Sequence, residues 1–599
     1  MTPFLILSWP LDGGSSEATA RSLRANLVAL YPSWTLLLDE PGRLIAIKTG
    51  GRVISGRCGG HPSFLIGDVF SGGLRSIDRI FAETIDFAEL CRKLSNNFWG
   101  AYLAVQTREP GNVSVFRDPI GMRDGVRWSR SGLHLISSDI LPSLNLSAPD
   151  DLAIDWHRIS ELLFASSTVA EATPLLGVET LEPGALLTLG DGEALARRLW
   201  VPRRHYDDRA QPTGADELHQ VTTRCVDAWL TAYPRPLLEL SGGFDSAVIA
   251  AAATQAGQEI SCGVNVFADD SAGDERRYAR DIAHLHALAL HEIFMPVGEF
   301  ALADLEDMPI GVRPGLGSTS LAHDRLLANF AEARGADTLI TGHGGDAVFF
   351  QHPTPMIAAD PSFPRTAFQA YADLARWSKT SIWTVAGHAF RIGPGGGAAF
   401  SDDAMTLRPL DSVAREPRST WAGDLEGLPP AKVLQIDAIA GDRSAFGPSW
   451  RSQSLTVVHP LLSQPLVELM IGTDVFHLTE GQRDRALARH AFRKFLPASI
   501  AERRGKGALN SYFGRLLAAS ASFLRSYLLD GQLVRNGVLD RERLDAMLDR
   551  DILMQIDYYG ELLAALIVEQ WARAWVDRLA VIRRDRNASS DSRPSARAN

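Results

Sequence analysis

Two short glycine-rich segments each carry an aspartate. One is Ser241-Gly242-Gly243-Phe244-Asp245-Ser246, and the other is Thr341-Gly342-His343-Gly344-Gly345-Asp346. Glycines let backbone approach a phosphate closely, and the free N–H groups of a following helix start favour an anion. Carboxylates are the usual protein ligands of magnesium, so Asp245 and Asp346 are the metal candidates. Ser241, Gly242, Gly243, Asp245 and Ser246, with Leu240 before them and Gly342 in the second segment, are candidates for contact with a nucleotide. Asn265 and Val264, at the end of a neighbouring strand, are placed to lie against a base. The first segment lacks the Gly-Lys-Ser/Thr ending of a Walker A loop. His343 could accept a proton near neutral pH, against the plainer reading of a structural loop histidine. For Asp346 the plainer reading is a turn aspartate held by local hydrogen bonds.

The elements that would position these residues can be read from periodicity. Pro236–Leu240 is a short apolar run, Ala247–Gln255 is alanine-rich, and Gly257 closes it, which predicts strand, tight turn and helix. A helix at Ala215–Ala232 precedes this unit. Strands at Ile260–Phe267, Leu290–Met295 and Thr338–Thr341 alternate with helices at Asp274–Ala287 and Leu321–Arg334. That alternation predicts an α/β domain with a parallel sheet covered on both faces, its ligands beyond the carboxyl ends of the strands. Asp274 reads as a helix N-cap first and a ligand contact second.

Residues 1 to about 200 instead show short β patterns at Leu5–Ser8, Leu44–Ile47, Ala101–Gln106, Val113–Phe116, Leu133–Ile136 and Ala185–Leu189. Helices are predicted at Glu17–Tyr31, Phe87–Leu94 and Asp155–Ser166. The reading is an α+β domain of stacked antiparallel sheets. A polar, proline-containing stretch over about 200–215 reads as a linker. From about 351 to 580 the pattern is helical, at Leu461–Ile471, Arg483–Phe495, Tyr512–Leu528 and Ile556–Val576, with a break at Gly393–Gly397. Arg583–Asn599, rich in Arg, Ser and Asn, reads as a disordered tail. The domains are therefore expected at 1–205 and 206–582, followed by the tail at 583–599.

At 599 residues the chain is long enough for several cores, and its formal net charge of −11 disfavours a role driven by nucleic-acid phosphates. Cys58, Cys91, Cys225 and Cys262 are scattered, which argues against a zinc site or disulfide scaffold and for a reducing, cytoplasmic compartment. His284, His286 and His291 lack metal-ligand spacing. The start of the chain reads as a first strand and no run of about 18 apolar residues occurs, so neither a signal peptide nor a membrane span is expected.

The first glycine segment resembles the pyrophosphate-binding loop (SGGxDS) of the ATP pyrophosphatases, which implies ATP as substrate and adenylate formation. The second resembles a segment of asparagine synthetases and β-lactam synthetases. Leu496-Pro497-Ala498-Ser499-Ile500, leading to Arg503-Arg504-Gly505-Lys506-Gly507, resembles a late segment of the same superfamily. By that resemblance Lys506 stabilises negative charge on the tetrahedral intermediate or the leaving phosphate. Asn97–Tyr102, Phe116–Gly121 and Leu181–Gly184 before Trp200 resemble the N-terminal Ntn-type glutaminase domain of the asparagine synthetase family. That family's mature chain begins with a catalytic cysteine. Here Thr2 and Pro3 follow Met1 and no cysteine precedes Cys58, so a glutaminase-like sandwich without glutaminase activity is expected.

The G-H-G-G-D form of the second loop, His459–Leu466, and Leu65–Phe70 are most similar to the lasso peptide macrolactam cyclases. The resemblance implies adenylation of an Asp or Glu side chain in a leader-cleaved precursor peptide, with ATP and Mg2+. The peptide's N-terminal amine then attacks, closing a macrolactam ring and releasing AMP. It also implies a leader peptidase and a peptide-recognition protein as partners. A β-lactam synthetase-like or ammonia-dependent asparagine synthetase-like ligase is the second reading, and a catalytically silent scaffold the third.

Overall fold

The structure is a computed structural model. It describes residues 3–30, 33–73, 76–164, 172–190, 194–208, 213–271, 273–317, 319–390, 421–505, 507, 509–555 and 559–591.

Strand alternation builds the N-terminal region. In Phe4–Ser8, Phe4 and Ile6 point into a seam between two sheets, where they meet Ile45, Ile47, Leu103 and Val105. Leu5 and Leu7 point the other way, under the helix Ser15–Leu30. On the facing sheet, Tyr102 and Ala104 of Phe98–Gln106 turn outward onto the helices Ile77–Glu83 and Phe87–Asn97. Period-two alternation thus yields four layers, helix–sheet–sheet–helix. Each sheet has six strands. One runs Glu179–Thr180, Val126–Arg130, Leu133–Ser137, Phe4–Ser8, Arg43–Lys48, Trp34–Glu40. The other runs Leu195–Arg198, Ala185–Leu189, Val113–Arg117, Phe98–Gln106, His61–Ser71, Val53–Cys58. Neighbouring strands pair antiparallel. Trp34–Glu40, Val53–Cys58, His61–Ser71, Val126–Arg130, Glu179–Thr180 and Leu195–Arg198 go beyond the six strands expected from pattern. Four of these lie at sheet edges, where polar residues dilute the alternation.

The second region holds a five-stranded parallel sheet in the order Leu290–Met295, Cys262–Ala268, Pro236–Glu239, Thr338–Ile340, Thr456–Val458. From Pro236–Glu239 the chain first winds to one side, then returns to place Thr338–Ile340 on the other. The point where winding reverses is where open α/β sheets bind ligands. Both aspartate-bearing segments leave from the two strands flanking that point. The helix Phe244–Gln255 is buried on every side from Ala247 to Ala253, so its alanines let helix and sheet approach closely. Thr456–Val458 joins the sheet from far along the chain and was not expected, being only three residues long.

The regions share packing. Phe70 and Trp99 meet Trp229 edge-on, and the Tyr233 hydroxyl donates to Asp68 Oδ2 at 2.7 Å. The C-terminal helix Tyr559–Asp591 lies across both, with Trp571 and Trp575 donating to the Gly311 carbonyl at 2.8 and 2.9 Å. Three expectations are corrected. The presumed linker contains the helix Pro202–Asp207, started by a proline that suits a first helical turn. Tyr512–Leu528 is two helices, Asn510–Ala519 and Ala521–Leu528, broken at buried Ser520. The terminal helix continues from 583 to Asp591, because Leu579 and Ile582 anchor it in the core. Gly393–Gly397 lies outside the described residues, and no helix among those described is long and apolar enough to cross a membrane.

Candidate active site

The first loop is shaped by its own sequence. Gly242 adopts φ +87°, and a Cβ there would lie 2.6 Å from the Glu275 carbonyl oxygen, so only glycine fits. Gly243 caps the helix Phe244–Gln255, and its N–H donates to Ser241 Oγ at 3.2 Å. The hydroxyls of Ser241 and Ser246 lie 3.1 Å apart. The first-turn N–H groups of that helix have no intrahelical acceptor and point with the helix dipole at whatever lies in front of the loop. Asn265 is buried and its side-chain amide donates to the Leu240 carbonyl at 2.8 Å, so it anchors the base of the loop.

The second loop is pressed against the first. A Cβ on Gly342 would lie 2.5 Å from Ser246 N, and one on Gly345 2.5 Å from Asp245 Cγ. Close backbone approach therefore explains glycine at both positions. It brings Asp245 and Asp346 to one guanidinium. Arg485 donates to Asp245 through Nε (3.0 Å) and Nη2 (2.8 Å), and its Nη2 also pairs with Asp346. Arg485 is buried, and desolvation pulls it below the usual guanidinium range while Asp245 works in the opposite direction. Two carboxylates sharing one cation form a donor set that suits a divalent metal, with substrate phosphates completing the shell. Among the described residues no group of three or more His, Cys, Asp or Glu side chains is placed to hold a metal by protein ligands alone.

In front of the loop lies a cleft of about 200 Å³ lined by Phe244, Gln351, Trp377, Arg489, Arg503 and Arg504, among others. Arg489 is paired with Asp484 at 2.8 Å and stacks over Phe244. Arg503 is paired with Glu275 at 2.6 Å and stacks over Tyr278. Planar guanidinium groups in this number suit polyphosphate recognition.

His343 is partly exposed. Its backbone N–H donates to Thr341 Oγ1 at 3.1 Å, and its Nε2 lies 3.2 Å from the Asp442 carbonyl oxygen and 3.6 Å from Asp442 Oδ1. Burial pushes the Asp442 carboxyl above the usual range, with His343 and His352 pulling it back. Thr341 Oγ1 also meets His459 Nδ1 at 2.7 Å, and burial holds His459 well below the usual imidazole range.

The structure thus brings together Ser241–Ser246, Gly342, His343 and Asp346, with Leu240 and Asn265 supporting them from below. Lys506 and Thr2 lie outside the described residues. Asp274 sits one residue ahead of the helix cap Glu275 and pairs with Arg276 at 2.7 Å. His286 contacts the Phe495 carbonyl oxygen, and His291 contacts Arg334. Sequence reasoning missed Asp442, Asp484, Arg485 and Arg489, and singled out Arg503 only as part of the segment leading to Lys506. The one trace in the sequence was the alternation Arg483-Asp484-Arg485, a sign that charges there are meant to be paired.

A model of the asparagine synthase family matches residues 217–428 and 433–573, together more than half of the chain. A comparison with curated proteins found no match. Similar solved structures include "the allosteric regulatory enzyme of purine biosynthesis", 12% identical, covering 49% of this chain and 80% of that one with a TM-score of 0.22. Another is glutamine phosphoribosylpyrophosphate amidotransferase from B. subtilis, complexed with ADP and GMP. It is 10% identical and covers 65% of this chain and 93% of that one with a TM-score of 0.21. Superpositions that loose carry no argument.

Proposed function

The chain belongs to the asparagine synthase family and is an ATP-dependent amide-bond-forming ligase, and we propose that it closes a macrolactam ring in a lasso peptide precursor. The observation that carries the ATP half is the meeting of Asp245 and Asp346 on one guanidinium, at the reversal point of a parallel sheet, in front of a glycine loop. The finer choice of substrate rests on the G-H-G-G-D loop, His459–Leu466 and Leu65–Phe70, which are most similar to the macrolactam cyclases.

In this reading a side-chain carboxylate oxygen of the peptide attacks the α-phosphorus of ATP, and pyrophosphate leaves. The loop N–H groups and the cleft arginines hold the departing charge in place. Asp245 and Asp346 would hold Mg2+, which when bound neutralises charge on the phosphates. The peptide's N-terminal amine then attacks the acyl carbon, and AMP leaves. His343 has Nε2 turned to Asp442, which leaves Nδ1 to take the proton released by that amine. Asp442 stabilises the imidazolium that results. A leader peptidase and a peptide-recognition protein would supply the substrate.

The test is pyrophosphate release with ATP and Mg2+, comparing a leader-cleaved precursor peptide, aspartate plus ammonia, and a small β-amino acid, with product masses followed. Peptide-dependent release with loss of one water from the peptide supports the cyclase. Turnover of the small substrates alone overturns it. Asp245→Asn should abolish release with every substrate, and normal release by that variant would remove Asp245 from the site.

A further inference from the structure

We propose that Arg485 is an internal counter-ion that holds the Asp245–Asp346 pair together until a metal–nucleotide complex displaces it. The metal would then enter with its nucleotide and not alone. The proposal rests on reading those two aspartates as the metal ligands.

Arg485 is placed with unusual care. It makes two hydrogen bonds to Asp245, at 3.0 and 2.8 Å, and pairs with Asp346. Its Nη1 meets Asp484 Oδ2 at 3.0 Å, and Nη2 meets Gln351 Oε1 at 2.7 Å. Its backbone sits in the left-handed region at φ +52°, uncommon for a residue with a side chain. Its N–H donates at 3.1 Å to the carbonyl of Phe350, itself at φ +63°. Two adjoining residues in that region, joined by a hydrogen bond, persist only where the surrounding fold determines them. The guanidinium is therefore held at this spot by the backbone of two segments.

A guanidinium on these carboxylates opposes a divalent cation there, since the two cations repel at close range in a buried site. A bare metal ion must evict Arg485 from both aspartates and leave it only the carboxylate of Asp484, already shared with Arg489. A metal ion arriving on a polyphosphate brings acceptors for the displaced guanidinium, beside Arg489 and Arg503 in the same cleft. Metal and nucleotide then strengthen each other's binding by the same factor.

The experiment titrates Mn2+ into the full chain, with and without the α,β-methylene analogue of ATP, following free Mn2+ by electron paramagnetic resonance. In the wild type the analogue should tighten Mn2+ binding at least about tenfold. Arg485→Gln should bind Mn2+ alone at least about tenfold tighter than wild type and lose most of that coupling. Arg485→Lys keeps a cation on the pair and should stay within about threefold of wild type. Arg485→Gln that keeps the wild-type circular dichroism and binds Mn2+ no tighter overturns the proposal, as does equal tightening by the lysine variant. If the Mn2+ bound by Arg485→Gln survives addition of Asp245→Asn, the ion sits elsewhere and the ligand reading itself is overturned.

Discussion

Replacing Gly345 with alanine separates what the second loop does for chemistry from what it does for folding. Gly345 opens the short helix Gly345–Val348 with an ordinary negative φ, so its backbone accepts alanine, which gains up to about 1 kcal/mol of helix propensity over glycine. The new Cβ would lie 2.5 Å from Asp245 Cγ, whereas ordinary contact begins at 3.4 Å. The carboxylate must retreat by about 1 Å, and a displacement of that size at a reacting centre costs about 10²-fold in rate. Retreat also breaks the bonds to Arg485 at 3.0 and 2.8 Å, so stability should fall by about 1–2 kcal/mol net. Pyrophosphate release with saturating ATP should drop about a hundredfold while the variant stays folded by circular dichroism. Gly387→Ala, whose Cβ meets nothing within 4 Å, is the matched control. A folded Gly345→Ala protein that releases pyrophosphate at the wild-type rate would show that the Asp245 carboxylate has no part in the reaction.

Two further outcomes follow from charges off the nucleotide loop. Asp442→Asn should leave pyrophosphate exchange within about twofold but slow amide formation about tenfold, because an imidazolium at His343 loses its carboxylate at 3.6 Å. Equal loss of both partial reactions would place Asp442 in the fold only. Lys432 is wholly buried, donating to Gln435 and the Met470 carbonyl, and burial pulls it down to about 7. The unfolded chain keeps that proton to about pH 10.5, so folding releases it and stability rises as pH climbs above about 7. Asp360, pushed up to about 7, has the opposite slope but acts below that pH. The wild-type Tm should therefore climb between about pH 7 and 9, and Lys432→Met should abolish the climb while lowering Tm throughout. A parallel pair of Tm curves would refute the assignment.

How much could be read in advance depended on how local the causes were. Ser241–Ser246 was legible because strand, glycine turn, cap and helix are consecutive, and Gly345 and Asp346 were legible as a second turn of the same kind. Arg485 was not. Its meaning lies in contacts to Asp245, Asp346 and Gln351, far away in sequence, and the local Arg483-Asp484-Arg485 alternation marks paired charge without singling it out. Asp442 was hidden for the same reason. Thr456–Val458 is too short to show alternation and is a strand only because Thr338–Ile340 lies open beside it. Ser520 breaks a helix inside an unbroken apolar periodicity, which pattern alone cannot register. Asn265 was expected at a strand end, but it lies in the middle of Cys262–Ala268, and its amide turns to the Leu240 carbonyl, a choice made by backbone geometry.

The C-terminal helix Tyr559–Asp591 has a bearing on biosynthesis. Leu5, Leu7, Trp9 and Leu44 belong to the same core as Trp571, Trp575 and Leu579. Ser15–Leu30 covers Leu5 and Leu7 early, but the segments Pro142–Ser147 and Trp156–Phe164, which pack against Tyr559–Asp591, keep a greasy face until residues 559–591 are made. At about 5–20 residues per second that interval is on the order of a minute. The nascent chain should call on a chaperone during that time, and proteins truncated before Trp571 should accumulate as aggregates, not as a free N-terminal domain.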